Sequence, residues 1–180
     1  MSGHAERIPA HRGEPAVPEE AQAVTVRHGA DAEPISKEAC CTVCRLRDET
    51  GGDMVTASYT VFPGMELAYH NVHLRKCCVG RAAHGRLVRI DHCREGRMEV
   101  EALGQPVSLA AGDLSVCCRQ AGVCHTWFPL HHYQGISIEI DLEQAPPCLS
   151  CFLDGVNVSP QALADRLCPG NSCFVARSDE

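Results

Sequence analysis

The chain has 180 residues, a net charge of −7 with histidine neutral, and only 4% aromatic residues. The acidic balance argues against a nucleic-acid-binding surface, which would show a basic patch, and no apolar run approaches the length of a membrane-crossing helix. The length suits one domain plus a tail, with a core resting on Val, Ile, Leu, Met and Cys rather than on aromatic rings.

Residues 1–37 are rich in Ala, Glu, Pro, Gly and His and poor in large apolar residues. Such a segment buries too little surface to offset its ordering entropy, and it reads as a disordered tail. Its first twenty residues lack the apolar stretch of a secretory signal. That points to a cytoplasmic protein with mainly reduced thiols. Residues 38–52 read as a transition segment with a short helical turn.

A β-barrel is expected over residues 53–141. From Met54 onward, Val55, Ala57, Tyr59 and Val61 alternate with Thr56, Ser58 and Thr60. Pro63-Gly64 is a type II turn signal, and Met65, Leu67 and Tyr69 alternate after it, so a hairpin is expected. Arg75 to Gly85 reads as a loop. Val88, Ile90 and His92 share one strand face, and Met98 and Val100 share a face on the next strand. Glu95-Gly96 reads as the hairpin turn between them. Val107 and Leu109 form a short run, Ala111-Gly112-Asp113 a turn, and Leu114, Val116 and Cys118 another run. Ile136, Ile138 and Ile140 alternate against Ser137, Glu139 and Asp141, the clearest period-two signal in the chain. Residues 142–180 form a C-terminal helical segment. One helix is expected within 142–152, confined by Pro146-Pro147 to the part after them. A second starts at Ser159-Pro160, with Ser as cap and Pro at the first position, and ends at Pro169-Gly170. Cys173 to Val175 reads as extended. The class is mainly β, a small antiparallel barrel or sandwich followed by one or two short helices.

Thirteen cysteines is an odd number, so any disulfide scheme leaves one thiol over. Cys40-Cys41, Cys77-Cys78 and Cys117-Cys118 are doublets, whose sulfurs diverge on a strand. Most of these cysteines read as small hydrophobes in place of Ala or Val. Cys41-x-x-Cys44 and Cys148-x-x-Cys151 are separated by the whole barrel, which argues against one zinc site. No Gly-x-Ser-x-Gly elbow and no Gly-rich phosphate loop is present. Cys93 and His92 are neighbours facing opposite ways, so they are not a nucleophile–base pair. No catalytic residue is assigned, and an enzyme is not expected.

Ile90 to Glu99, then Gly112-Asp113-Leu114, then His132 to Ile138 together resemble the N-terminal sensor domain of AraC-family transcriptional regulators, over roughly residues 53–178. The resemblance implies a cupin-type barrel (a double-stranded β-helix) that senses a small molecule and dimerises. It implies an unidentified small-molecule effector, a homodimer, and contact with DNA only through a C-terminal helix-turn-helix domain, absent from these 180 residues. No cofactor is expected. A ligand is expected to meet His92, Arg94, Glu95, Arg97, Tyr69, Trp127 and Tyr133. The alternative is a stand-alone metal-dependent cupin enzyme using His92, Cys93, Glu95 and His125, with His131 and His132 as further donors. Arg94 stands where such a site would place a second histidine. A third reading is a thiol-rich metal or redox sensor.

Overall fold

The computed structural model describes residues 5–8, 25–27, 33–81, 86–102, 105–119, 122–149 and 158–178. Thirteen strands run through them: β1 (Ala5–Ile8), β2 (Thr25–Arg27), β3 (Glu33–Lys37), β4 (Cys41–Arg47), β5 (Asp53–Phe62), β6 (Met65–His73), β7 (Lys76–Arg81), β8 (Leu87–Ala102), β9 (Gln105–Ala110), β10 (Leu114–Arg119), β11 (Gly122–Trp127), β12 (Tyr133–Asp141) and β13 (Cys173–Ala176). The helix α1 (Pro160–Leu167) precedes β13. One sheet follows the order β1-β13-β10-β8-β12-β6-β5-β4-β3. A second runs β2-β7-β11-β8-β9, and β8 belongs to both. The result is mainly β, a curled antiparallel half-barrel with one short helix.

The 16-residue strand β8 makes the curl. Its first half pairs with β10 and β12, and its second half with β9 and β11. Glu95-Gly96, expected as a hairpin turn, lies inside this strand instead. Pairing with β12 skips Arg94, and Gly96 takes φ +78°. An extra residue of this kind bends and twists a strand without ending it. A Cβ at Gly96 would run into the carbonyl of His132, so glycine allows the two strands to approach there.

The hairpin at Pro63-Gly64 forms as expected, with Gly64 at φ +73°. The turn at Ala111-Gly112 also forms, and the Asp113 side chain closes it by accepting from Ala110 N–H at 2.9 Å. Other expectations are corrected. The segment 75–85 contains the strand β7, and 38–52 contains β4 rather than a helical turn. Within 1–37, the described residues form β1, β2 and β3. Residues 142–148 hold turns and bends, Leu149 is helical, and 150–152, the rest of the helix expected after Pro146-Pro147, lie outside the described residues. The helix at Ser159-Pro160 starts as read. Ser159 Oγ accepts from Ala162 N–H at 3.3 Å, a cap worth about 1 kcal/mol.

Two apolar cores flank the main sheet. The inner one includes Val72, Leu74, Cys93, Val100, Leu109, Phe128, Tyr133 and Val175. The outer one joins Val88, Val116, Cys118 and Ile140 to Ala164 and Cys168 of the helical segment, with Ile90 and Ile138 packed against it. Each fully buried Val, Leu or Ile contributes about 1.5–3 kcal/mol. The apolar faces of β8 and β12 therefore look out at α1, and their alternate residues look into the barrel. Cys117 is disulfide-bonded to Cys173, its cross-strand partner on β13. Nine other cysteines among the described residues are free. Among the described residues no helix is long and apolar enough to cross a membrane.

Candidate ligand site in the barrel interior

The inward residues of four neighbouring strands build a polar wall. On β5 and β6, Thr56 and His70 stand directly opposite each other. Thr56 Oγ1 lies 3.1 Å from His70 Nδ1, and His70 Nε2 lies 2.7 Å from Ser137 Oγ on β12. The imidazole thus spans two hydroxyls. On β8 and β12, Arg89 and Glu139 stand opposite each other, as do Asp91 and Ser137. Arg89 Nε donates to both oxygens of Asp91, at 2.8 and 3.0 Å, and Nη1 donates to Glu139 at 2.9 Å. The Asp91 side chain is 2% exposed and that of Arg89 16%. Buried charges persist only when paired in this way.

Tyr133 completes the site. It is 2% exposed, and its ring packs on Phe128 with centroids 5.4 Å apart. The phenol oxygen lies over Gly135, where a Cβ would collide with it. That oxygen is buried and has no hydrogen-bond partner among the described residues. Burial, then the charge of Asp91, push the phenol well above its ordinary pKa, against the pull of Arg89. It remains a neutral O–H donor at physiological pH. His70, Arg89, Thr126, Met98, Phe128 and Tyr133 line a cavity of about 50 Å³. A buried donor without an acceptor costs about 1–3 kcal/mol, and a ligand oxygen in this cavity would remove that cost.

Most of the residues expected to meet a ligand lie outside this interior cavity. Of the seven, Tyr133 alone enters the barrel. Tyr69, 43% exposed, and Arg94 line a depression of about 270 Å³ on the outer face, with Asn71 and Gln134. Glu95 meets His132 at 3.3 Å on the surface, and His132 stacks on His73. Arg97 pairs with the neighbouring Glu99 at 3.1 Å. Trp127 stacks on His125, whose Nδ1 lies 2.9 Å from Cys78 Sγ. His92 lies on the outward side of β8, between Leu114 and Ile136.

The alternative metal set is not brought together. His92 and Cys93 leave β8 on opposite faces, and His125 belongs to β11. Cys93 is fully buried, its thiol pushed up to about 11 by burial and then by Asp113. Among the described residues, no group of three His, Cys, Asp or Glu side chains converges as a metal site would require.

Thr56, His70, Arg89, Asp91, Ser137 and Glu139 were not singled out by sequence. Part of their signal was present: Arg89, Asp91, Ser137 and Glu139 are the polar residues alternating with apolar ones on β8 and β12, and Thr56 alternates with apolar residues on β5. A period-two pattern gives two faces and does not say which one is enclosed.

No family model matches this chain, and no curated protein matches it. Solved structures do. An AraC-like transcriptional activator, CuxR, is 10% identical, with a TM-score of 0.43 over 56% of this chain and 39% of that one. A cupin 2 conserved barrel domain protein from Salinispora arenicola is 19% identical, with a TM-score of 0.37 over 49% of this chain and 76% of that one. A protein from Thermotoga maritima described as a predicted oxalate decarboxylase is 19% identical, with a TM-score of 0.40 over 56% of this chain and 93% of that one. The match spans half the length of an HTH_3 family regulator from Vibrio cholerae and less than half of CuxR. Fold resemblance at this level does not select among their functions.

Proposed function

We propose that this chain is a small-molecule-binding module of the AraC sensor type, with its effector site inside the barrel. The observation that carries the reading is the buried phenol of Tyr133, without a hydrogen-bond partner among the described residues, on a side chain that lines the interior cavity with His70 and Arg89. Ligand sites combine apolar walls with a few convergent polar groups, and this cavity has both. The effector presents an oxygen acceptor to Tyr133 and is small, or enters with movement of Met98 and Phe128. The chain pairs with a second copy, and contact with DNA runs through a unit joined to it. Effector binding shifts the population between two arrangements of the pair.

A thermal-shift screen against sugars, small acids and small aromatics tests this reading. An effector at 100 times its dissociation constant adds about 2.7 kcal/mol of stability. Tyr133→Phe should remove most of that gain. A ligand that stabilises the wild type and the Tyr133→Phe variant equally places the site elsewhere.

A further inference from the structure

The bulge in β8 sets one arginine apart on the outer face of the sheet. Pairing with β12 matches Gln134 to Glu95 and Gly135 to Cys93, so Arg94 is the extra residue. An extra residue re-aims a side chain, and bulges are over-represented beside functional sites. Its neighbour Glu95 meets His132 at 3.3 Å. Arg94 instead lines the outer depression and makes no ion pair among the described residues.

Cross-strand pairing supplies the other walls. Val55, Asn71 and Gln134 stand side by side across β5, β6 and β12, and Ala57 stands beside Tyr69 in the next row. The short side chains of Val55 and Ala57 leave room between the longer ones. Tyr69 is exposed, and Tyr59 braces its ring edge-on with centroids 6.0 Å apart. No carboxylate lines the depression, although the chain as a whole carries a net charge of −7.

Each of these groups suits a different part of a ligand. A guanidinium pairs with the oxygens of a phosphate or carboxylate. A carboxamide offers both N–H donors and a carbonyl acceptor, so Asn71 and Gln134 suit an edge that carries donors and acceptors together, as adenine does. An exposed aromatic ring is a surface on which a base stacks. A hydrocarbon acid would leave the carboxamides unmatched, and a neutral sugar would leave the guanidinium unmatched. The volume of about 270 Å³ lies just below the range of about 300–1,000 Å³ usual for ligand pockets, which suits one nucleotide and not a chain of them.

We propose that the outer depression binds a purine nucleoside monophosphate, with the phosphate on Arg94, the base on Tyr69 and the edge of the base on Asn71 and Gln134. The site lies on the opposite side of the sheet from the interior cavity and does not rest on the function proposed for that cavity. His70 borders both, so it takes no part in the test.

Calorimetric titration of the full chain with AMP, adenosine, ribose 5-phosphate and benzoate tests the proposal. AMP should bind one to one and more tightly than the other three. Arg94→Ala should weaken AMP by about tenfold or more and leave adenosine unchanged, while Arg94→Lys, which keeps the charge, should lose less. Tyr69→Leu should weaken AMP and adenosine alike, by about fivefold or more, and leave ribose 5-phosphate unchanged. No heat from AMP at millimolar concentration with the wild type overturns the proposal. So does benzoate or ribose 5-phosphate binding as tightly as AMP. Both outcomes need no variant to fold. An AMP affinity that falls in Tyr133→Phe and holds in Arg94→Ala would place the nucleotide in the interior cavity, which overturns this proposal and supports the interior site.

Discussion

Arg89 and Glu139 face each other across β8 and β12, and their side chains meet at 2.9 Å inside the barrel while Arg89 also grips Asp91. One guanidinium thus neutralises a carboxylate that is almost wholly enclosed. Removing one partner of such a pair strands the other, so Arg89→Met should cost about 3–5 kcal/mol. Urea unfolding of the single variants and of Arg89→Met with Asp91→Leu measures it. The double variant should recover much of the loss. A loss in the double variant equal to the sum of the two single losses would show that the pair is not coupled.

The unpartnered phenol gives a prediction of the opposite sign. Tyr133→Phe removes a buried group that costs about 1–3 kcal/mol while it has no acceptor. The variant should therefore be at least as stable as the wild type without ligand, and gain about 1 kcal/mol. A loss of more than 1 kcal/mol in urea unfolding would show that the oxygen has a partner in solution.

Ligand binding should distinguish the two faces of the sheet. Arg94 and Tyr69 were expected in the pocket, and they line the outer depression instead. Arg94→Ala and Tyr69→Ala should leave the affinity of an interior ligand within about twofold, whereas His70→Ala, in the interior wall, should weaken it by at least tenfold. Calorimetric titration with any ligand from the screen decides the matter. A tenfold loss in Arg94→Ala would move the site to the outer face.

The difference between the residues expected at a ligand site and those that line the barrel interior has one physical source. Val88, Ile90 and Ile136 to Ile140 mark an apolar face plainly, and in a barrel without attachments that face would line the interior. Here α1 and the turns after β12 cover it from outside, through Ala164, Cys168, Leu163 and Ala145. The apolar stripe is therefore an interface with the helix, and Arg89, Asp91, Ser137 and Glu139 look inward. The pattern of β8 alone cannot tell these cases apart, because the deciding residues lie some 75 positions later. What was local was legible. Pro63-Gly64, Gly112-Asp113 and Ser159-Pro160 each fix a turn or a helix start through their own backbone preferences. Gly96 misled because a left-handed glycine serves a bulge as readily as a hairpin.

The Gly112-Asp113 turn carries a pH dependence. Burial raises the Asp113 carboxyl, but the N–H groups of Ala110 and Ser178 and the Arg177 guanidinium outweigh it and hold the group below its ordinary 3.8. A carboxyl depressed on folding adds stability above its unfolded pKa and loses it as pH falls through the folded value. The unfolding midpoint in urea should therefore drop as pH falls below about 4. Asp113→Asn should be less stable at pH 7 and show a flatter profile in that window. An unchanged acid limb in Asp113→Asn would assign the loss to other carboxylates.

The last prediction concerns the contact between Tyr133 and Gly135 on the same strand. A Cβ at Gly135 would meet the phenol ring and its oxygen, so these two residues specify one another. Gly135→Ala should displace the ring from Phe128 and cost about 1–3 kcal/mol, the usual range for overpacking. The displaced phenol would also leave the cavity, so ligand stabilisation in the thermal-shift assay should fall with it. If the ring is the cause, the two sites are coupled. In a Tyr133→Leu background the smaller side chain leaves room for the methyl group, and Gly135→Ala should then cost less than 0.5 kcal/mol, near the limit of additivity for independent sites. The cycle separates this from a backbone effect. Glycine's conformational freedom is not the issue at 135, which lies within the paired run of β12 and takes no positive φ. An equal cost for Gly135→Ala in both backgrounds would show that the strand, not the tyrosine, demands glycine there.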